Sequence, residues 1–259
     1  MVYGFIVSYR SERYMNKCYL LKAKGLNDSY IYSLKLNFKY QNIFMASRKA
    51  LTNPQDTILG AELLIDFSRM NHAGVCHDIL DKIVRFGQAA NKALDYTKVL
   101  SRKSRVFINI ERCNLCDIRL LNRIAHISDE LFLQDIVLVV EITERNFCGR
   151  CLRIVEGLSY LKGRGVSLAI DDYDYHNWSP EIHSVELELF FDYIKLEYPS
   201  TAKGKLKFDQ FIKFYSNTKR LVVERVSERT QLESLDCEKI WGIQGFLLCR
   251  GVSLPRLPQ

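Results

Sequence analysis

Residues 167–178 read SLAIDDYDYHNW: an apolar run that stops on two adjacent carboxylates, Asp171 and Asp172, with Asp174 two residues on. Adjacent carboxylates repel one another, so a core strand that ends on such a pair calls for a cation between them. Segments of the same build recur along the chain. β-Branched and apolar runs lie at 33–40, 58–65, 105–110, 136–142, 166–171, 193–196, 220–226 and 242–248, each of a length suited to a buried strand. Between them, apolar residues recur every three to four positions at 77–100, 115–133, 152–163 and 208–218, the period of helices packed by one face. Strand alternating with helix predicts an α/β fold with a parallel sheet. Eight such strands predict closure into a (β/α)8, TIM-like barrel.

Buried parallel strands are nearly continuous in Val, Ile and Leu, because both faces are covered. Here they are interrupted by single polar groups: Glu62, Asn109, Glu141, Asp171, Lys195, Glu224 and Gln244, mostly toward the carboxyl end of the strand. Taken singly, each has an ordinary explanation as a solvated strand terminus or a local ion pair. In register they converge on one barrel mouth, where the catalytic groups of such folds lie. Glu62, Glu141, Asp171, Asp172 and Glu224 facing one another repel strongly at low dielectric. An all-oxygen set with an Asn amide suits Mg²⁺ or Mn²⁺ rather than Zn²⁺, and carboxylate-rich two-metal sites perform in-line displacement at phosphorus.

The 259 residues, 47% hydrophobic, are enough for one large domain. Residues 1–32 are Tyr-rich and basic without a clear period and read as an N-terminal leader or cap; 33–259 read as the barrel domain, with a loop from Tyr40 to Ile58. The opening MVYGFIVSYR is too short and too soon interrupted by Arg10 to be a secretory signal, and no apolar run approaches spanning length. The chain is therefore expected in the cytoplasm, away from the membrane. A net charge of +7 admits anionic partners, but the cations are scattered, which reads as a solvated surface with no direct DNA binding. Eight cysteines without a secretory signal read as reduced thiols. The pairs Cys113/Cys116 and Cys148/Cys151 follow predicted strands; they could hold structural zinc, or serve as small half-buried hydrophobes.

In combination the motifs resemble the EAL-domain family, bacterial phosphodiesterases that linearise cyclic di-GMP. GAELLIDF (60–67) carries the signature as Glu62-Leu63-Leu64, and FINIE (107–111), EITE (141–144), LAIDD (168–172), YIKLE (193–197), VVERVSERTQLESL (222–235) and QGFLLCRG (244–251) follow in the family's order. QNI (41–43) stands where the family has QPI. The resemblance covers residues 38–251. It implies a barrel with one antiparallel strand. It also implies metal ligation by Glu62, Asn109, Glu141, Asp171, Asp172 and Glu224, a catalytic role for Lys195 on the attacking water, and Glu224 as proton acceptor beside Glu62. Gln41, Gln244 and the Asp66 position would face the substrate. Cyclic di-GMP is the implied substrate and pGpG the product; homodimerisation and a regulatory protein partner remain open.

Several positions depart from the family pattern. Asp66 stands where the family has an Arg that grips a phosphate, and a carboxylate there repels it. The glycine-containing loop after the double aspartate is here Tyr173-Asp174-Tyr175-His176 and must take a different path. The family's motif Gly and second Glu are Arg225 and Ser227, the Asp of its LKID is Glu197, and its closing Pro is Gly251. The implied metal site is complete while the substrate clamp and loop control are altered, so two readings follow: an active phosphodiesterase, or an impaired relative that binds cyclic di-GMP or a protein.

Overall fold

The computed structural model describes residues 38–65, 104–143, 152–180 and 185–253. Strands β1 (Phe38–Met45), β2 (Ile58–Ile65), β3 (Ser104–Glu111), β4 (Ile136–Thr143), β5 (Ser167–Ile170), β6 (Tyr193–Glu197), β7 (Arg220–Glu224) and β8 (Gly242–Ile243) form a closed barrel. Neighbours from β2 to β8 are parallel, and β1 closes the ring by pairing antiparallel with both β2 and β8. A short β9 (Val252–Ser253) adds a further antiparallel pairing to β1.

Among the described residues the helices are α1 (Lys49–Thr52), α2 (Ile118–Phe132), α3 (Leu152–Gly163), α4 (Val185–Phe190), α5 (Ala202–Tyr215) and α6 (Arg229–Glu233). Local chemistry sets their starts. The Asp117 side chain accepts from the Arg119 N–H at the head of α2, and the Thr201 hydroxyl accepts from the Gly204 N–H at the head of α5. In α2 the buried residues Leu120, Leu121, Ile124, Ala125, Ile127 and Leu131 form one stripe, which packs on the outward residues of the strands, among them Ile108, Leu138 and Val140. Full burial of a side chain such as Ile124 contributes about 2 kcal/mol.

The period-two alternation of the strands divides the core. Even-numbered residues of β3, such as Ile108 and Ile110, join the large cluster under the helices, whereas Phe107, Val139, Ala169, Tyr193 and Val222 point inward with Ile43 of β1 and fill the barrel. That inner plug lies between the barrel's two mouths.

Several sequence expectations are revised. The first strand, expected over 33–40, runs from Phe38 to Met45, so the segment from Tyr40 to Ile58 is not all loop: it holds most of β1, then α1 and a 3₁₀ turn at Pro54–Thr57. Polar Gln41 and Asn42 disguised the strand, and Gln41 belongs to the mouth. The strand expected over 242–248 is only Gly242–Ile243, because the chain turns at Gly245, where a Cβ would lie 2.1 Å from the Val226 carbonyl oxygen. The helix expected over 208–218 starts at Ala202, and the one over 115–133 starts at Ile118 after a 3₁₀ turn at Arg112–Cys116. The expected helix over 77–100, the leader over 1–32 and Asp66 lie outside the described residues.

Candidate active site

One rule places every side chain of the site except Asp172. Two positions beyond each inner-plug residue, the inward face of the strand reaches the carboxyl-end mouth: Asn109 after Phe107, Glu141 after Val139, Asp171 after Ala169, Lys195 after Tyr193 and Glu224 after Val222. Glu62 and Gln244 follow Gly60 and Gly242 in the same way, and in the reversed β1 the sense inverts, so that Gln41 precedes Ile43.

Lys195 sits at the centre, 1% exposed. Its Nζ lies 2.8 Å from Glu224 Oε1, 3.0 Å from Glu62 Oε2, 3.0 Å from Glu141 Oε1 and 3.4 Å from Asp171 Oδ1. A second layer of contacts orients Glu62: Asn109 Nδ2 donates to its Oε1 at 2.7 Å and Gln244 Nε2 to its Oε2 at 2.8 Å. Gln244 also donates to Gln41 Oε1 at 3.1 Å, and Gln41 Nε2 donates to the Cys249 carbonyl at 2.9 Å, tying the loop after β8 to the antiparallel strand.

The electrostatics follow from this crowding. Burial would depress the Lys195 ammonium, but Glu141, Glu224, Glu62 and Asp171 outweigh it and raise its pKa well above the ordinary value. Burial would raise the Glu62 carboxyl, yet the Lys195 charge and donors from Gln244, Asn109 and Lys195 hold it below the usual range. Glu141, fully enclosed, is pushed well up by burial and by the charges of Glu62, Asp171 and Glu224, against Lys195. Burial, opposed by Lys195 and helped by the neighbouring carboxylates, also raises Asp171, and brings Glu224 to about 7. The mouth therefore holds an excess of acid over base and retains protons near neutrality.

Asp172 explains how consecutive aspartates share one site. In an extended strand their side chains would point to opposite faces. Asp172 instead has φ 45°, a left-handed conformation that Asp tolerates better than most residues. Carboxylate oxygens of Asp171, Asp172 and Glu224 consequently come within 4.8 Å of one another.

These residues fit a divalent cation on two observations. The trio of carboxylates offers converging oxygens, and Asn109 Oδ1 is buried with no hydrogen-bond donor among the described residues. A buried amide oxygen beside carboxylates is a ready ligand for a hard cation.

All the sequence-selected residues that lie within the described residues meet at this mouth: Glu62, Asn109, Glu141, Asp171, Lys195, Glu224, Gln41 and Gln244 through the contacts above, and Asp172 beside Asp171 and Glu224. Sequence reasoning did not foresee the pairing of Arg225 Nη1 with Glu197 Oε1 at 2.8 Å, next to Glu224. Arg225 also has a positive φ of 57°, a signal visible only as a family glycine replaced by a long cation. The altered loop is a 3₁₀ turn at Tyr175–Asn177, started by Asp174, whose side chain accepts from the His176 N–H. Of the cysteine pairs, Cys113 is buried with its Sγ 3.6 Å from Glu111 Oε2, Cys116 is half-buried, and Cys148 and Cys151 lie outside the described residues.

Residues 55–251 match the model of the EAL domain. Among solved structures, the chain resembles the EAL enzyme Bd1971 in its cAMP- and cyclic-di-GMP-bound form, with 15% identity over 93% of this chain and 68% of that one and a TM-score of 0.66. It also resembles the EAL domain of Mycobacterium smegmatis DcpA (21% identity, 84% of this chain and 93% of that one, TM-score 0.60). Klebsiella pneumoniae BlrP1 in a manganese and cyclic-di-GMP complex gives 18% identity, 85% of this chain and 57% of that one, and a TM-score of 0.58. At these identities the structural likenesses establish the fold. No curated protein matches the chain. No helix among the described residues is long and apolar enough to cross a membrane.

Proposed function

Because this chain belongs to the EAL domain family, we propose that it is a metal-dependent phosphodiesterase that opens one 3′,5′-phosphodiester of cyclic di-GMP to give linear pGpG. The observation that supports this reading is the convergence of Glu62, Glu141, Asp171 and Glu224 on one buried lysine at the carboxyl-end mouth. Glu62, Asn109, Glu141, Asp171, Asp172 and Glu224 would hold Mg²⁺ or Mn²⁺. Such ions, when bound, supply charge stabilisation at the phosphoryl oxygens and a nucleophile at neutral pH.

The chain's own residues would do the rest. Lys195 holds the carboxylates together and presents a fixed positive charge to the reacting phosphate or water. Glu224, whose carboxyl burial lifts to about 7 in the metal-free protein, would also serve as the proton acceptor. Asn109 and Gln244 fix the plane of Glu62 from both sides. Gln41 and Gln244, linked to each other, would line the substrate side of the mouth.

A second reading, a regulator that binds without turnover, is favoured by the loop after the double aspartate. Tyr175 packs on Phe208 with ring centroids 5.4 Å apart, and Trp178 on Phe211 at 5.2 Å, so aromatic packing anchors a segment that is glycine-containing in the family pattern. The deciding experiment is a turnover assay on purified protein with cyclic di-GMP, without metal and with Mg²⁺ or Mn²⁺. The phosphodiesterase reading expects metal-dependent pGpG that Glu62→Ala abolishes. No product with either metal from neutral to alkaline pH would overturn it, and a protein partner captured equally by wild type and Glu62→Ala would then support the regulator.

A further inference from the structure

The alternation that builds the acidic mouth also builds the opposite one. Two positions before the inner plug, the inward face carries Arg105 before Phe107 and Arg220 before Val222, and in the reversed β1 it carries Met45 after Ile43. These residues line a cleft of about 520 Å³ at the amino ends of the parallel strands, on the far side of the plug from Lys195. Lys219, Lys239 and Trp241 complete its polar and aromatic rim.

Cations predominate in this cleft. Among the described residues that line it, Arg105, Lys219, Arg220 and Lys239 outnumber one carboxylate, Glu238, and Lys239 is itself paired with Asp236. The cations are also held in place. Arg105 Nε donates to the Tyr193 hydroxyl at 2.7 Å while its guanidinium lies over the Trp241 ring at 5.0 Å, and the Arg220 guanidinium lies over the Tyr193 ring at 5.3 Å. Tyr193 and Trp241 are themselves packed edge to face at 5.2 Å. Lys219 Nζ donates to the carbonyls of Glu188 and Phe191 at 2.7 and 2.8 Å, which leaves one of its three N–H groups to give. Arg220 forms no ion pair with a carboxylate among the described residues, so ring stacking orients its guanidinium without neutralising it.

We propose that this second mouth is a binding site for a mononucleotide, its phosphate held by Arg220 and Lys219, with the Asp236-paired Lys239 at the rim, and its base laid against the wall of Trp241, Leu59 and Ile240. Guanidinium groups match phosphate geometry in a way that suits them to this role. Bases stack on aromatic rings and on guanidinium planes, and the cleft has both. Its volume falls within the roughly 300–1,000 Å³ of small-molecule sites, which favours one compact anion over an extended polymer. The site is independent of the phosphodiesterase reading, since the buried plug separates it from the carboxylates.

Calorimetric titration of the full chain with GMP, in chelator so that no metal occupies the acidic mouth, tests the proposal. Binding should appear in the micromolar to sub-millimolar range with quenching of Trp fluorescence. It should weaken about tenfold or more in Arg220→Glu, since a charge-assisted contact is worth ~1.5–3 kcal/mol. Lys239→Glu, a surface variant, should weaken it in the same direction and guards against a folding defect in the first. Glu62→Gln should leave it unchanged. Guanosine and inorganic phosphate alone should each bind more weakly than GMP. Absence of binding at millimolar GMP, indifference to both charge reversals, or guanosine or phosphate binding as tightly as GMP would each overturn the assignment.

Discussion

Asn109 Nδ2 donates to Glu62 Oε1 at 2.7 Å while its own buried Oδ1 receives no hydrogen bond from the described residues. One end of the amide thus aligns a carboxylate and the other is a buried acceptor with no donor among the described residues. Asn109→Leu removes both functions at similar volume. Stability should change by no more than about 1 kcal/mol, because a hydrogen bond is lost together with an unsatisfied acceptor. Mn²⁺ affinity should fall about 10–100-fold, as when a ligand's support is removed. Calorimetric Mn²⁺ titration reads the effect, and unchanged affinity would remove the amide from the ligand set.

Lys195→Met takes away the ammonium that, among the described residues, pairs with Glu62, Glu141, Asp171 and Glu224. Uncompensated buried carboxylates should destabilise the metal-free protein by about 3–5 kcal/mol. Mn²⁺ should restore much of that loss, so the rise in urea midpoint on adding metal should be larger in the variant than in the wild type. A variant as stable as wild type in chelator would show that the lysine is not what holds the cluster.

The barrel and its mouth were legible in the sequence because both obey one short-range rule. A polar residue two positions after an inward apolar one, repeated as Phe107/Asn109, Val139/Glu141, Tyr193/Lys195 and Val222/Glu224, is visible without coordinates. What escaped depended on contacts remote in the chain. β1 was displaced because Gln41 and Asn42 look like loop residues until Glu62, opposite Gln41, shows them to be a strand at the mouth. The end of β8 was missed because the turn at Gly245 is set by the approach of the Val226 backbone, and an apolar run cannot announce that. The cationic mouth was missed for a related reason: Arg105 and Arg220 sit at strand starts, where a charge reads as a solvated end until the rings of Trp241 and Tyr193 are seen beneath them.

Asp172 combines a left-handed backbone, φ 45°, with a carboxylate facing Asp171 and Glu224. Two substitutions separate these contributions. Asp172→Asn keeps a residue tolerant of that conformation and should leave the urea midpoint nearly unchanged while weakening Mn²⁺ binding. Asp172→Ala should weaken Mn²⁺ as well and add a backbone penalty of about 1 kcal/mol. Equal Mn²⁺ affinity in Asp172→Asn and wild type would exclude the carboxylate from the site.

At Asp66 the expectation comes from the sequence alone. If this position faces a substrate phosphate, Asp66→Arg replaces repulsion by a charge-assisted contact, and cyclic di-GMP should bind about tenfold tighter or better. Calorimetry on metal-free wild type and variant measures this directly. Unchanged affinity would place residue 66 away from the phosphate.

Tyr175 gives the anchored loop a pH signature. Its hydroxyl donates to the Glu197 carbonyl at 3.3 Å, and burial, with the charges of Glu197 and Asp174, pushes its phenol up to about 12 from the ordinary 10. The folded state thus keeps a proton that the unfolded chain gives up, so the protection conferred is complete below pH 10 and drains away as pH rises toward 12. Tyr175→Phe cannot titrate. It should be less stable than wild type at about pH 9 by roughly one hydrogen bond, ~1 kcal/mol, and should lose less further stability than wild type on going to about pH 11.5. Urea midpoints of both proteins at the two pH values test this, and parallel losses would mean that the Tyr175 phenol is not protected by the fold.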